Sequence, residues 1–198
     1  GFLVDCSGLK NMDSELEQRI DVISKEIFDL VGYEFNLNSP KQLGVALFEK
    51  LGLPAKKKTK SGYSTKAEVL EELRYARPAV GLLLEYRQLA KLKSTYCEGL
   101  QAAVAHDGRI HTTFNQTETR TGRISSLEPN LQNIPVRTEE GKRLREYFIA
   151  PDGCVLCDAD YSQIELRVLA SIAHDENMIS AFNSGVDIHT LTASQVFG

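Results

Sequence analysis

The chain has 198 residues, 42% hydrophobic and 25% charged, with a formal net charge of −4. That composition suits a soluble globular protein of one large or two small domains, and it excludes a protein that coats nucleic acid by sheer positive charge. No apolar run approaches the ~20 residues that span a bilayer, so no membrane partner is expected.

The cations are unevenly spread. Lys56, Lys57, Lys58, Lys60, Arg87, Lys91 and Lys93 gather between Lys41 and Arg109, while acids crowd the N-terminal helix and the region after Asp152. The chain opens on Gly1 and holds only Met12 and Met178, and its opening Phe-Leu-Val is broken at once by Asp5. A piece of a longer protein without a secretory signal is expected.

The first half reads as helices. Ser14-x-x-Glu17 has the pattern of a capping box and opens a stripe of Leu16, Ile20, Ile23, Ile27 and Leu30 that stops at Gly32. Ser39-Pro40-Lys41-Gln42 predicts a second cap, with Leu43, Leu47 and Leu51 behind it and a stop at Gly52. Thr65-x-x-Glu68 predicts a third helix through Val69 and Leu73 to the break at Pro78. A longer fourth carries Leu82, Tyr86, Leu89, Tyr96 and Leu100. Between the second and third lies Pro54-Ala-Lys-Lys-Lys-Thr-Lys-Ser-Gly-Tyr63, a mobile cationic loop at the tip of a helical hairpin. It is either a solvated charge run or a phosphate clamp backed by Arg87, Lys91 and Lys93; composition leaves both open.

The texture changes after Gly108. Arg109-Ile-His-Thr-Thr-Phe-Asn115 alternates and favours β-branched residues, as a strand does. Residues 115–141 form a long polar stretch with several Arg, either disordered or a functional surface. A buried strand is predicted from Val155 to Asp160, followed by a mostly buried helix marked by Ile164, Leu166, Val168, Leu169 and Ile172. Asp187 predicts the cap of a last helix. Helices first and strands later give the fold class: α+β, mostly helical.

The four cysteines are Cys6, Cys97, Cys154 and Cys157. Cys154-x-x-Cys157 matches a zinc or redox spacing. On a strand, however, residues three apart point to opposite faces, their Cα atoms roughly 10 Å apart and beyond disulfide reach. No second Cys/His pair stands at ligand spacing. Structural thiols in a reduced cytosolic protein are expected.

The densest chemistry is Asp158-Ala-Asp160-Tyr161-Ser162-Gln163-Ile164-Glu165-Leu166-Arg167. A carboxylate where a strand stops pairing is anchored yet open to solvent and metal. Magnesium takes one or two carboxylates plus substrate phosphates, which suits Asp160, with Glu165 about one turn later facing the same pocket. Such an acid also serves elsewhere as an N-cap or ion-pair partner. Asp158, on the same strand face, would make a paired-carboxylate site. The residues alone leave these readings open.

The run Asp160-Tyr-Ser-Gln-Ile-Glu-Leu-Arg167 resembles the first catalytic motif of family-A DNA polymerases. Thr121-Gly-Arg-Ile-Ser-Ser-Leu-Glu-Pro-Asn-Leu-Gln-Asn-Ile-Pro-Val-Arg137 is similar to that family's template–primer segment. Ser39-Pro-Lys-Gln-Leu43 and Leu89-Ala-Lys-Leu-Lys-Ser-Thr-Tyr96 resemble its thumb helices, and Asp187-Ile-His-Thr190 with Thr192-Ala-Ser-Gln-Val-Phe-Gly198 the beginning of its fingers. The resemblance runs nearly end to end. It implies a link at 1–11, a helical thumb over 12–108, an incomplete palm of antiparallel sheet and helices over 109–184, and the start of the fingers at 185–198.

The family adds deoxynucleotides to a primer 3′ end with two magnesium ions. The resemblance puts Mg²⁺ on the Asp160 carboxylate and the Tyr161 carbonyl and makes Glu165 the gate against the sugar 2′ position. It sets Arg137 and His189 on the triphosphate. It lines the minor groove with Arg123, Asn130, Gln132 and Asn133, and brings Lys56, Lys57, Lys58, Lys60, Lys91, Lys93, Ser94 and Thr95 to the duplex. Asp158 is not a ligand in the family. The implied partners are primer–template DNA and deoxynucleoside triphosphates, for a monomer in the bacterial cytosol.

The family's nucleotide-binding fingers helix and its second catalytic Asp, in a His-Asp-Glu motif, are expected beyond Gly198, so these residues alone are expected to be inactive. Three other readings compete. A stand-alone DNA-binding module leaves Asp160, Glu165 and Arg137 idle. A metal-dependent nuclease on Asp160, Glu165 and Asp158 leaves the thumb unexplained. A phage-type RNA polymerase is disfavoured by Glu165.

Overall fold

The computed structural model describes residues 1–55, 58–59 and 62–197. They form two compact units, Gly1–Val155 and Leu156–Gly198. The class is α+β and mostly helical, as predicted.

The first unit opens with strand β1 (Phe2–Val4), followed by helix α1 (Cys6–Val31). The helix starts well before Ser14. Leu9 and Met12 carry its buried stripe upstream, and the Asp5 carboxylate caps it, accepting from the Ser7 and Gly8 amides at 3.0 Å each. Ser14 is interior, and its hydroxyl donates back to the Lys10 carbonyl. The predicted stop holds: Gly32 takes φ +91, a turn open to a residue without Cβ.

Ser39 caps α2 (Pro40–Gly44) through the Gln42 amide. The Gln42 side chain, however, accepts from the Asn36 amide at 2.8 Å instead of closing a box on Ser39. The helix then widens into a π-helical segment, Val45–Lys50, which buries Ala46, Leu47 and Phe48. In the basic loop, β2 (Lys58–Thr59) pairs with β3 (Gly62–Tyr63); Lys56, Lys57 and Lys60 lie outside the described residues.

Helix α3 (Ala67–Glu72) is not capped by Thr65. That residue is buried, and its carbonyl and hydroxyl accept from Arg87 at 2.5 and 3.3 Å. The predicted long helix is present as α4 (Pro78–Lys91), a π-helical segment Leu92–Glu98 and α5 (Gly99–Ala103). Helices α1 and α4 pack along one another, and Leu9, Leu16, Ile23 and Ile27 share one core with Val80, Leu83 and Leu89. Each such side chain contributes about 1.5–3 kcal/mol by leaving water.

The strand predicted after Gly108 forms in two pieces. β4 (Arg109–Ile110) stays with β1, while β5 (Thr113–Asn115) turns away to pair with β6 (Ser125–Leu127). Thr138 caps α6 (Glu139–Glu146), accepting from the Gly141 amide at 3.1 Å. Gly141 is required there, because a Cβ would come within 2.6 Å of the Pro135 carbonyl oxygen. β7 (Phe148–Ile149) completes a three-stranded antiparallel sheet ordered β4-β1-β7, with Phe2 opposite Ile110 and Val4 opposite Phe148.

The second unit holds α7 (Ile164–Ala173), α8 (Glu176–Asn183) and α9 (Ile188–Phe197). Two predictions are corrected here. No strand forms from Val155 to Asp160: the segment is irregular and exposed, Val155 by 86%. A strand needs a neighbour for its N–H and C=O groups, and no described strand pairs with this one. The helix after it forms, but its apolar side faces outward, with Leu169 53% and Ile172 74% exposed and only Ala170 buried. Cys154 and Cys157, predicted on the buried strand, are free and exposed, whereas Cys97 is buried. No described helix is long and apolar enough to cross a membrane.

Candidate functional site

Two stretches far apart in sequence meet in the first unit. Lys91, Thr95, Tyr96 and Leu100 of the long helix face Pro129, Asn130 and Asn133 of the irregular polar segment across a cleft of about 440 Å³. The π-helical turn lies on the helical wall, and such wider turns recur at functional sites. The opposite wall is held by side chains. The Gln132 amide group accepts from the Ser126 amide at 3.3 Å and donates to the Ile124 carbonyl at 2.9 Å. Asn130 accepts from the Gln132 amide at 3.0 Å. The buried Ser126 hydroxyl lies 2.6 Å from the Thr112 hydroxyl and accepts from the Leu131 amide at 3.1 Å. Across the cleft, the Tyr96 hydroxyl donates to the Asn133 carbonyl.

This wall sorts the amides expected at a minor groove. Gln132 spends both ends of its side chain on backbone, while Asn130 and Asn133 are exposed beside Lys91 and Thr95. Amide donors next to a cation suit base-edge acceptors flanked by phosphates. Other predicted contacts are engaged locally. Lys93 is paired to Glu98 at 2.5 Å and Asp13 at 3.4 Å; its bond to Glu98, with help from Asp13, raises its pKa. The Ser94 hydroxyl donates to the Ala90 carbonyl. Arg87 is tied to Thr65, and its partial burial lowers its pKa. Arg123 and Arg137 are both exposed, and Arg137 directly precedes the α6 cap.

Sequence reasoning missed the hydroxyls of Tyr96, Ser126 and Thr112. The signal for Tyr96 was available: a tyrosine on a core stripe carries a polar tip that needs a partner.

The acids stand in the second unit. Asp160 and Tyr161 lie in the exposed segment before α7, Tyr161 by 79%. Asp160 has no hydrogen-bond or ion-pair partner among the described residues. Gln163 takes φ +53 at the start of α7, and no side chain caps it. Glu165 is exposed on the first turn of that helix. The Gln163 side chain donates to Asp187 at 2.8 Å, and Asp187 caps α9 as predicted, accepting from the Thr190 amide and hydroxyl at 2.9 and 2.8 Å. Gln163 first, then Thr190, hold the Asp187 carboxyl down to about 2. This bridge sets Glu165 and His189 on the first turns of two linked helices. Arg167 lies 4.4 Å over the Phe182 ring and holds α7 to α8.

Among the described residues no cluster of three or more His, Cys, Asp or Glu could hold a metal. An unpaired exposed carboxylate beside a backbone carbonyl fits magnesium, which takes few protein oxygens and completes its shell from phosphates and water.

Residues 6–198 match the family described as DNA polymerase family A. Over its whole length the chain is 54% identical to DNA polymerase I of Lactococcus lactis subsp. cremoris (strain MG1363) and 55% identical to DNA polymerase I of Geobacillus stearothermophilus. It spans 23% of the length of each of these relatives. It is also similar to a solved POL domain of Pol1 from M. smegmatis in complex with DNA primer-template and dNTP, with TM-score 0.87 and 45% identity, covering 100% of this chain and 35% of that one. A match over nearly every residue, on a fold this similar, means that the chain belongs to DNA polymerase family A.

Proposed function

We propose that these residues form the thumb (12–108), part of the palm (109–184) and the start of the fingers (185–198) of a monomeric, cytosolic DNA polymerase that extends a primer 3′ end with deoxynucleotides. The observation that carries the reading is the cleft joining Lys91 and Thr95 to Asn130 and Asn133 in a chain of this family. The similar Pol1 domain is a complex with primer-template and dNTP, which supports the same partners here.

Lys91, Thr95 and the lysines of the basic loop (Lys56, Lys57, Lys58 and Lys60) meet phosphates. Asn130, Asn133 and Arg123 donate to minor-groove acceptors that every correct pair presents, so they test geometry and not sequence. Arg137 and His189 hold the triphosphate. Glu165 fills the space beside the sugar 2′ carbon and disfavours ribonucleotides. The Asp160 carboxylate and the Tyr161 carbonyl would hold magnesium, which when bound neutralises the transferring phosphate and sharpens the primer hydroxyl as a nucleophile. These 198 residues alone do not extend a primer, since Asp160 by itself cannot hold two ions against solvent.

Fluorescence anisotropy of a labelled primer–template hairpin, against single-stranded DNA of equal length, tests the grip. Preference for the duplex, with affinity falling steeply as salt rises, is expected; Lys91→Ala lowers the salt slope by about 1. Equal affinity for single strands would sink the reading. Template-dependent extension by the pure chain would overturn its inactivity.

A further inference from the structure

We propose that Tyr96 is a positioning residue, whose hydroxyl presents Asn130 and Asn133 to the duplex. The inference rests on the duplex-binding reading of the cleft.

Residues 129–135 belong to no helix or strand, and their backbone makes a single turn at 132–133. Their placement depends on the burial of Ile134 in the core and on side-chain pins. Thr112 and Ser126 hold the Pro129 carbonyl at 2.8 and 3.3 Å, Ser126 also holds the Leu131 amide, and Gln132 grips Ser126 and Ile124. Arg145 donates to the Ile134 carbonyl at 3.2 Å. Those pins fasten the segment to its own hairpin and to α6. The pin to the long helix is the Tyr96 hydroxyl on the Asn133 carbonyl, 37 positions along the chain.

Tyr96 suits that task. Its residue is 4% exposed and shares the core with Leu92 and Leu100, so packing fixes the ring and the ring fixes the hydroxyl. The neighbouring Thr95 and Lys91 look into the same cleft. Ile134 and Leu131 pack the segment on the same core, and the Tyr96 ring adds the polar pin that fixes the Asn133 backbone against the helical wall. Asn133 itself is exposed. Without the phenol, water satisfies its carbonyl, and the fold loses little while the amides lose their fixed position.

Tyr96→Phe keeps the ring and removes the bond. It is measured by hairpin anisotropy across a salt series, alone and in an Asn130→Ala/Asn133→Ala background, with circular-dichroism melts alongside. The expected result is a duplex affinity lower by about 3–10-fold at every salt concentration. The salt slope stays unchanged, because phosphate contacts are intact, and no further loss follows when both asparagines are already alanine. An unchanged affinity, an equal loss in both backgrounds, or a reduced salt slope overturns the proposal. A wild-type chain without duplex preference overturns the parent reading and this one together. Wild-type preference with an indifferent Tyr96→Phe overturns this one alone.

Discussion

The two units spend their apolar residues differently. In Gly1–Val155 the stripes of α1 and the long helix close on each other together with α2 and α3, and Leu9, Leu43, Leu70 and Leu83 are fully buried in one core. In Leu156–Gly198 the buried hydrophobics are Ala170, Ala181 and Ile188, while Val168, Leu169 and Ile172 stand open. The groups proposed to grip DNA are thus seated on a core that these residues supply themselves. Of the residues proposed for the chemistry, Asp160 lies in an exposed irregular segment, and Glu165 and His189 stand on the first turns of helices whose apolar side chains are largely exposed. On the proposed reading, recognition would be preorganised by local packing, and the chemistry would stand on elements with little packing of their own.

The largest expected effect tests that contrast. Leu83→Ala removes a side chain with 0% exposure and should cost about 2–5 kcal/mol in urea unfolding followed by helix signal. Ile172→Ala, at a position 74% exposed, should change stability by no more than about 0.5 kcal/mol. Equal losses would mean that the second unit buries this face after all. A smaller effect sharpens the limits of the first unit. Asp5→Ala frees two capped amides and should cost about 1 kcal/mol. Ser14→Ala, interior to α1 and bonded to Lys10, should cost almost nothing. The reverse order would restore Ser14 as the start of the helix.

The helices were legible because their stripes repeat over many turns, with glycine stops at Gly32 and Gly52 in the left-handed region. The caps were less so. A Ser or Thr oxygen takes whichever partner the fold brings: Ser14 found the Lys10 carbonyl, and Thr65 found Arg87. Strand β1, three residues long, is too short for a period to appear. From Val155 to Asp160 the apolar pattern recorded a capacity for burial, and burial also requires a pairing strand. Asp160, Glu165, Asn130 and Asn133 stood out through motif resemblance. The Tyr96–Asn133 bond did not, because it joins residues 37 apart and the tyrosine reads as one more core position.

The smallest effect concerns the link between the starts of α7 and α9. Asp187 is held down to about 2 by Gln163 and Thr190, below the ordinary 3.8 for aspartate. A carboxyl whose folded pKa is depressed contributes its full stability above the unfolded pKa and loses it as the pH falls through the folded one. The bridge is therefore fully present above about pH 4 and is lost as the pH falls through about 2. The Thr190 amide resonance, which reports the hydrogen bond to Asp187, should titrate with a midpoint near 2, and Asp187→Asn should abolish that titration. A midpoint near 3.8 would mean that the Gln163–Asp187–Thr190 bridge does not form in solution. The starts of α7 and α9, which carry Glu165 and His189, would then lack this bridge, and the contrast with the pinned cleft of the first unit would be sharper still.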